Sequence, residues 1–306
     1  MKDPYSPCKL CPRNCGVDRT VGKAGFCGET AVLRIVAAVI HRGEEPPLVG
    51  TGGSGTIFVS GCNLGCAFCQ NYQISQGEGD NAGLGREVSP EAFAQICAAL
   101  DGMGAENINI VTGSHAIPVL AEGIRAAKKA GVRLPVLWNS SAYENAGALE
   151  LLRDHVDIFL PDLKTLDSGI AAKYFNAPDY PAAAQAAVLK MLEMANDKPE
   201  GSVIIRHLIL PGHTGSTRQA LRWFADNAKG RALLSLMTQY TPIPGRERPM
   251  PQRYLNAEEY NAVLSWLEEF GIEDGFCQEL VTGSDWLPDF NRPNPFPSEL
   301  SVPVWP

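Results

Sequence analysis

Residues 56–71 read TIFVSGCNLGCAFCQN, a short apolar run followed at once by three cysteines. The β-branched and aromatic residues of TIFVS predict a strand. Cys62, Cys66 and Cys69 have the spacing C-x3-C-x2-C, with the aromatic residue Phe68 just before the third cysteine. Three thiolates leave one iron of a four-iron cluster open to a small molecule, whereas four would saturate it. The stretch therefore predicts a reactive [4Fe-4S] cluster in a loop after a strand, with a zinc site or a chance group of thiols as the alternatives.

Five more strand-like apolar runs follow along the chain. They are NINIVT (107–112), PVLWN (135–139), VDIFLP (156–161), VIIRHLIL (203–210) and LLSLM (233–237). Segments with helical periodicity separate them, at 90–100, 117–129, 146–152, 181–195 and 217–228. This alternation is typical of an α/β protein whose parallel sheet is covered by helices. Six such units predict a partial (β/α)6 TIM-like barrel or a doubly wound sheet, and in both the functional residues gather at the carboxyl ends of the strands.

A small cysteine-rich segment precedes this alternating region. Its four cysteines, Cys8, Cys11, Cys15 and Cys27, have the spacing C-x2-C-x3-C-x11-C. The segment is too poor in apolar residues to bury a core of its own, so we expect a bound metal to organise it. Zinc and a second [4Fe-4S] cluster both accept four thiolates, and the spacing does not decide between them.

Composition divides the chain into three parts. Residues 1–50 form the cysteine-rich N-terminal extension, which closes with a polar, proline-containing connection, and residues 51–282 form the strand–helix core. Residues 283–306 contain six prolines. Because proline donates no backbone hydrogen bond and fixes its own φ, we expect this tail to be irregular.

Charge and composition exclude several classes of protein. The formal net charge is −8 and no basic run is present to hold phosphates, so we expect no binding of nucleic acid. No apolar stretch reaches the ~18 residues of a membrane span and the N-terminus has no signal-peptide core, so we expect no membrane contact and a cytoplasmic location. Seven of the nine cysteines lie within the first 69 residues, which in a reducing compartment indicates metal ligands rather than disulfides.

The cysteine loop resembles the signature of the radical S-adenosylmethionine (radical SAM) superfamily. That signature is C-x3-C-x-aromatic-C after the first strand of a partial barrel, and Phe68 stands at the aromatic position. The resemblance implies that Cys62, Cys66 and Cys69 hold the cluster and that SAM chelates its open iron. It further implies one-electron cleavage of SAM to methionine and a 5′-deoxyadenosyl radical, which abstracts hydrogen from a substrate. A flavodoxin or ferredoxin would supply the electron.

The same resemblance implies that SAM contacts lie at the ends of the later strands. The second strand ends in Thr112-Gly113-Ser114, at the place of a GGE-type motif whose backbone meets the SAM amino group, although the glutamate is absent here. The third strand is followed by Asn139 and Ser141, whose amide and hydroxyl groups could bond the ribose. Phe68 belongs to the same set of expected cofactor contacts.

Two further matches are to the glycyl-radical activating enzymes. Asp162-Leu163-Lys164 is similar to a D-L-K triplet that contacts SAM and the substrate region in those enzymes. Arg206 in the fifth strand, followed by Pro211-Gly212, is similar to a second pattern, and its guanidinium would pair with the SAM carboxylate. The matches imply hydrogen abstraction from a glycine of a partner protein.

Over nearly its full length the chain resembles the PflX-type proteins, which are relatives of pyruvate formate-lyase activating enzyme. The matching segments are LCPRNCGVDR (10–19), GFCG (25–28), GEEPP (43–47), GSGTIFVSGCNLGCAFCQNYQIS (53–75), LPDLK (160–164) and TGSDWLPDF (282–290). This resemblance does not name a substrate. Modification of a small molecule or of another protein side chain is therefore an equal alternative to glycyl-radical formation. A non-enzymatic iron–sulfur electron carrier is the third, but a carrier needs neither an open iron nor a cleft.

Overall fold

The computed structural model of the chain describes residues 3–75, 84–243, 245, 248–281, 283–284 and 287–305. Its strands are β1 (Arg34–His41), β2 (Ser54–Val59), β3 (Arg86–Glu87), β4 (Ile108–Val111), β5 (Val136–Ser140), β6 (Ile158–Pro161), β7 (Ile204–Leu208), β8 (Leu233–Met237), β9 (Gly275–Cys277) and β10 (Ser301–Trp305). Its helices are α1 (Pro46–Val49), α2 (Tyr72–Ser75), α3 (Pro90–Gly102), α4 (Ile117–Lys129), α5 (Ala146–Leu149), α6 (Ser168–Phe175), α7 (Tyr180–Met194), α8 (Thr214–Asn227) and α9 (Ala257–Phe270).

Parallel strands make up the barrel wall. β2, β4, β5 and β6 are neighbours in that order, and β7, β8 and β9 form a second parallel run. Parallel bridges Phe159–Val203 and Asp162–Arg206 join β6 to β7. All six predicted strands are present, within two residues of their predicted bounds, as β2 and β4 to β8. The α/β class and the partial barrel are confirmed, because the strand order never reverses as it does in a doubly wound sheet.

Helices pack against the outer side of this wall, and their ends follow local sequence signals. Ser89 caps α3 by accepting a hydrogen bond from the Ala92 N–H at 3.2 Å, and Pro90 occupies the first turn. Helix α6, which was not predicted, starts at a similar cap, since the Asp167 side chain accepts from the Ile170 N–H at 2.9 Å. It ends at Asn176, whose φ is +50°.

Among the described residues, three antiparallel strands extend the sheet beyond β2, namely β1, β3 and β10, and none of them was predicted. β1 pairs with β2, and β10 pairs with β1. The expectation of an irregular tail is therefore wrong for Ser301–Trp305. The strand was missed because Pro303 has no N–H to donate to a β-ladder, which argues against a strand. An edge strand tolerates proline, and β10 lies at the edge of the sheet. Of the predicted tail motif TGSDWLPDF, Thr282, Asp285 and Trp286 lie outside the described residues.

Alternation along the strands separates an outer core from the barrel interior. Trp138 and Phe159 are fully buried against the outer helices. On the inner side, Leu137, Leu160 and Ile204 pack against Leu48 of α1, which closes the amino end of the barrel. The carboxyl end stays open as a cavity. Within the described ranges, none of the helices has both the length and the apolar character that crossing a bilayer requires.

Candidate active site

The three cysteines of the loop after β2 line a cavity of about 660 Å³ at the carboxyl ends of the strands. Cys62, Cys66 and Cys69 are all free thiols. The loop turns at Gly61 and Gly65, which both have φ of +80°, a conformation that side chains with a Cβ rarely adopt. The structure therefore brings the predicted cluster ligands together at the predicted place.

The chemistry of these thiols fits an iron–sulfur cluster. Burial raises the pKa of Cys62 and Cys66, and at Cys66 the Lys164 ammonium opposes that rise. Iron displaces the thiol proton when it binds, so a raised pKa keeps the sulfurs protonated until then. In the described part of the chain, no three His, Cys, Asp or Glu side chains are already grouped as a metal centre. The three thiolates of a [4Fe-4S] cluster bind three different irons, so they need not converge on a single point.

Aromatic packing holds Phe68 and with it the end of the cysteine loop. The Phe68 ring makes edge contacts with Tyr174, Phe175 and Tyr240, at centroid distances of 6.0, 5.8 and 5.5 Å. The Ala67 N–H donates to the Tyr174 carbonyl at 2.7 Å. Phe68 also lines the cavity. Its chief role in the structure is to anchor the loop to helix α6.

Asp162 and Lys164 form an ion pair on the cavity wall. Lys164 Nζ lies 2.5 Å from Asp162 Oδ2. Burial acts to lower the pKa of Lys164, but the neighbouring Asp162 and Cys66 outweigh it and raise that pKa. Tyr180 holds the backbone of both residues. Its hydroxyl accepts a hydrogen bond from the Lys164 backbone N–H at 2.9 Å and donates one to the Asp162 backbone carbonyl at 2.7 Å. A permanent cation therefore lies beside the cysteine loop.

Three of the five predicted contacts at the ends of β4 and β5 reach the cavity. Thr112, Asn139 and Ser141 line it. The Ser141 hydroxyl is buried and has no hydrogen-bond partner among the described residues, which leaves it available to a ligand. Gly113 and Ser114 do not line the cavity, and the Ser114 hydroxyl donates to Glu144 instead, at 2.8 Å. A side-chain contact between Ser114 and SAM therefore does not follow from this structure.

Glu144 is a buried residue that the sequence reasoning missed. It accepts hydrogen bonds from the Trp138 indole at 2.7 Å, from Ser114 at 2.8 Å and from Ser140 at 2.9 Å. Burial raises its pKa, and these three bonds oppose the rise. Glu144 joins the ends of β4 and β5 just behind the cavity wall. No motif marks it, because its partners are defined only by the folded path of the chain.

Arg206 also lines the cavity, but protein carboxylates occupy it. Its Nε donates to Glu45 Oε1 at 2.7 Å, and its Nη2 pairs with both Glu44 and Glu45. Burial acts to raise the pKa of Glu45, but Arg206 outweighs it and holds that pKa below its ordinary value. The expected pairing of Arg206 with the SAM carboxylate therefore competes with two glutamates already in place. Both glutamates belong to the segment GEEPP (43–47). The sequence did not predict their pairing with Arg206, because Glu45 and Arg206 are 161 positions apart.

The N-terminal cysteines lie together against the loop that follows β2. Cys8, Cys11 and Cys27 are buried, whereas Cys15 is exposed. A Cβ added to Gly25 would lie 3.5 Å from the Cys15 sulfur and 3.6 Å from the Cys27 sulfur, so these two thiols flank one glycine. Burial raises the pKa of Cys11 to about 11, against hydrogen bonds from the Arg13 backbone and the Asn63 side chain. Four thiols in one small segment suit a closed metal site.

Arg19 links the N-terminal cysteine segment to the barrel through hydrogen bonds. Its side chain is 2% exposed, and its Nη1 lies 3.8 Å from the Cys8 sulfur and donates to the His115 carbonyl at 2.6 Å. His115 belongs to the 3-10 turn that follows β4. The other two cysteines are separate from both sets: Cys97 is buried in α3, and Cys277 lines the cavity from β9.

Comparison with known proteins places this site in a family. A sequence model of the Radical SAM superfamily matches residues 56–224, more than half of the chain. An uncharacterized protein of Methanocaldococcus jannaschii is 28% identical over 275 residues, which cover 89% of this chain and 77% of that protein. This protein therefore belongs to the radical SAM superfamily. Membership implies a [4Fe-4S] cluster and SAM, and a radical enzyme that cleaves SAM.

Two solved structures match this chain over part of its length. A radical SAM methyltransferase from Sphaerobacter thermophilus gives a TM-score of 0.52 at 14% identity, over 74% of this chain and 66% of that one. Methylornithine synthase gives a TM-score of 0.47 at 15% identity, over 68% of this chain and 59% of that one. The chain thus spans less than two thirds of either structure. The likeness to the methyltransferase shows the fold and not its activity.

Proposed function

We propose that this protein reductively cleaves SAM in the cavity at the carboxyl ends of the strands and abstracts hydrogen from a substrate bound beside it. The observation that carries the proposal is that Cys62, Cys66, Cys69 and the Asp162–Lys164 pair line one cavity. With the cluster and SAM bound, the site would supply a 5′-deoxyadenosyl radical. The chain's own part is to hold three thiols on one loop and to keep them beside the partly exposed Lys164 ammonium.

Polar groups on the cavity wall would orient SAM. The free Ser141 hydroxyl and the neighbouring Asn139 amide suit a ribose, which offers hydroxyl groups as donors and acceptors. Asp162 carries a carboxylate that attracts the positive charge of the SAM sulfonium or amino group. The Thr112 side chain completes this wall at the end of β4.

An anaerobic SAM-cleavage assay tests this function. The iron-reconstituted protein is incubated with SAM and a strong reductant, and 5′-deoxyadenosine is quantified together with iron. We expect the Cys66→Ala variant to lose nucleoside formation, since only two thiolates would then hold the cluster. Cys97→Ala is the matched control, because Cys97 is a buried thiol remote from the cavity.

The outcome separates an enzyme from an electron carrier. Full nucleoside formation in Cys66→Ala would overturn the ligand assignment. A wild-type protein that assembles its cluster, is supplied with substrate and still forms no nucleoside would instead support an iron–sulfur electron carrier. If Cys66→Ala loses nucleoside formation, full activity in Cys97→Ala shows that the loss reflects the missing ligand and not the removal of a buried thiol.

A glycine of a partner protein is our first candidate for the substrate. Its support is the similarity of Asp162-Leu163-Lys164, and of Arg206 with Pro211-Gly212, to the glycyl-radical activating enzymes. The test uses a protein fraction labelled with α-deuterated glycine. Deuterium in the 5′-deoxyadenosine would support the candidate, and its absence from nucleoside formed with that fraction would exclude it.

A small molecule or another protein side chain is the second candidate. Pro288, Phe296 and Leu300 of the tail line the same cavity as the cysteines. The chain itself therefore bounds the space beside the cluster site, and concave sites of this kind suit small ligands. Stimulation of nucleoside formation by a protein-free metabolite fraction would favour the small molecule.

The N-terminal cysteines are proposed to bind a second metal, zinc or another [4Fe-4S] cluster, with zinc preferred for a structural role. Metal analysis of the purified protein distinguishes the two. We expect Cys11→Ala to lose this metal while the catalytic cluster remains visible by spectroscopy. Loss of the catalytic cluster in that variant would show that the cysteines are divided differently between the two sites.

Two further proposals concern the cellular setting. A flavodoxin or ferredoxin would deliver the electron, because SAM cleavage consumes one. A reducing, cytoplasmic compartment suits the nine free cysteines, which form no disulfide among the described residues.

A further inference from the structure

Arg13 extends from the N-terminal cysteine segment to the loop that carries the catalytic cysteines. It lies between Cys11 and Cys15 in the sequence. Its Nε donates to the Asn63 carbonyl at 2.9 Å, and its Nη2 donates to the Leu64 carbonyl at 2.7 Å. Both acceptors belong to the stretch between the first two cluster cysteines. One arginine therefore contacts the backbone of the cluster loop twice.

The same guanidinium also caps helix α6. Nη1 donates to the Asn176 carbonyl at 2.5 Å, and Nη2 donates to the Phe175 carbonyl at 3.1 Å. A cation at this position suits the negative end of the helix dipole. Helix α6 also packs against Phe68 of the cluster loop. Arg13 therefore contacts two segments, the loop and the end of α6, that already contact each other.

In the part of the chain that the structure describes, no carboxylate forms an ion pair with Arg13. Its four acceptors are main-chain carbonyls, and among the described residues it forms no ion pair. The Phe26 ring covers the guanidinium at 3.8 Å, and the Tyr143 ring lies 5.3 Å away on another side. A full positive charge therefore lies against the backbone of the cluster loop.

The position of Arg13 depends on the cysteine segment. The Asn14 N–H donates to the Cys11 carbonyl at 3.0 Å, in a turn that carries Arg13 at its centre. Phe26, which covers the guanidinium, directly precedes Cys27. A metal bound by these cysteines would fix both the arginine and its cover, and loss of the metal would release both.

We propose that Arg13 is a positioning residue that couples the metal state of the N-terminal cysteines to the geometry and charge of the catalytic cluster loop. The proposal rests on the proposed function, because it assigns metal centres to both sets of cysteines. It extends that function by giving the N-terminal metal a mechanical and electrostatic role in catalysis without requiring it to carry electrons.

The first test compares Arg13→Gln and Arg13→Lys with the wild-type holoenzyme by electron paramagnetic resonance and redox titration. We expect Arg13→Gln to keep its iron but to show altered g-values and a lower midpoint potential, since a nearby cation favours the reduced cluster. Arg13→Lys should recover part of the potential, because it keeps the charge, but not the g-values, because it lacks the planar fork. An unchanged spectrum and potential in Arg13→Gln would overturn the proposal.

Arg133→Gln is the matched control, since Arg133 also donates to a main-chain carbonyl but lies at the amino end of the barrel. It should leave the spectrum and the potential unchanged. A shift as large as that of Arg13→Gln would show a general charge effect and would also overturn the proposal.

The second test does not depend on the folding of an Arg13 variant. Hydrogen exchange of residues 62–66 is measured in the wild type, in Cys15→Ser and in Cys97→Ala. We expect exchange in this loop to become about tenfold faster in Cys15→Ser alone, as two restraining hydrogen bonds loosen. Unchanged exchange in Cys15→Ser would overturn the coupling. Because exchange needs no SAM cleavage, this result stands apart from any failure of the proposed function.

Discussion

Thr112 holds an unusual backbone conformation at the carboxyl end of β4. Its φ is +62°, and a β-branched residue in this region carries a strain of about 1–3 kcal/mol. The Thr112 N–H donates to the Asn139 carbonyl at 2.9 Å, which helps to hold the turn. Strained residues concentrate at ligand sites, where the surrounding structure enforces them. Its place on the cavity wall agrees with the SAM contact proposed for it.

Gly113 is required for packing and not for its backbone angles. An added Cβ would lie 2.6 Å from the Trp138 ring and 2.7 Å from Leu120, and both side chains are fully buried. We therefore expect Gly113→Ala to lower the free energy of unfolding by about 1–3 kcal/mol, as overpacking of a core does. Urea denaturation followed by circular dichroism measures this change.

Gly215→Ala is the control for this prediction. Gly215 lies in helix α8, and none of the described residues comes within 4 Å of the new methyl group. Its replacement should leave the free energy of unfolding unchanged or raise it slightly, because alanine is the better helix former and Gly215 lies in the first turn of α8. Equal shifts in the two variants would contradict the packing argument.

At the scale of elements, the cavity wall depends on how β4 and β5 end together. Glu144 holds Ser114 after β4 and both Trp138 and Ser140 of β5. Glu144→Ala would leave three buried donors without an acceptor, at a cost of about 1–3 kcal/mol each. We expect this variant to be strongly destabilised and to lose SAM binding, as measured by denaturation and by equilibrium binding of SAM.

Glu144→Gln separates the shape of this residue from its charge. Because burial raises the pKa of Glu144 above its ordinary 4.5, the folded state binds the extra proton. The wild type is therefore most stable, relative to Glu144→Gln, below pH 4.5, and this advantage falls as the pH rises through the raised pKa. Unfolding free energies of both proteins across this pH range measure it, and a constant difference would contradict the raised pKa.

Across the whole molecule, one ion cluster joins parts of the barrel that are far apart in sequence. Arg206 of β7 binds Glu44 and Glu45, which follow β1. The three side chains are at most 11% exposed, so Arg206→Met would leave two buried carboxylates unpaired. We expect it to lower the free energy of unfolding by about 3–5 kcal/mol at neutral pH.

The effect of Arg206→Met should depend on pH. The lowered pKa of Glu45 contributes stability above pH 4.5 that is lost as the pH falls through the folded value. The difference between the wild type and Arg206→Met should therefore shrink in acid. Arg153→Gln, which breaks an exposed network with Glu150 and Glu193, should cost far less, because solvent screens exposed ion pairs, and it serves as the control. A cost for Arg206→Met no larger than that of the control would contradict the buried-pair argument.

The sequence by itself determined the class of the fold and the identity of the cluster loop. Strand and helix periods, the cap at Ser89 and the spacing of Cys62, Cys66 and Cys69 are local properties, readable over a few residues. These local features predicted six strands of the barrel, and they also predicted the radical SAM superfamily. They did not predict β10, because Pro303 argues against a strand unless its place at a sheet edge is known.

Only the tertiary structure decided which side chains meet around the cavity. Arg206 contacts Glu45 from 161 positions away, and Arg13 contacts Asn63 and Asn176 from 50 and 163 positions away. Such pairs leave no periodic or spacing signal, since their distance in space depends on every turn of the chain between them. The cluster cysteines are close together in sequence, so their spacing alone predicted them. The residues that hold the cavity wall and the cysteine loop in place come from distant segments, and only the folded structure shows that they meet.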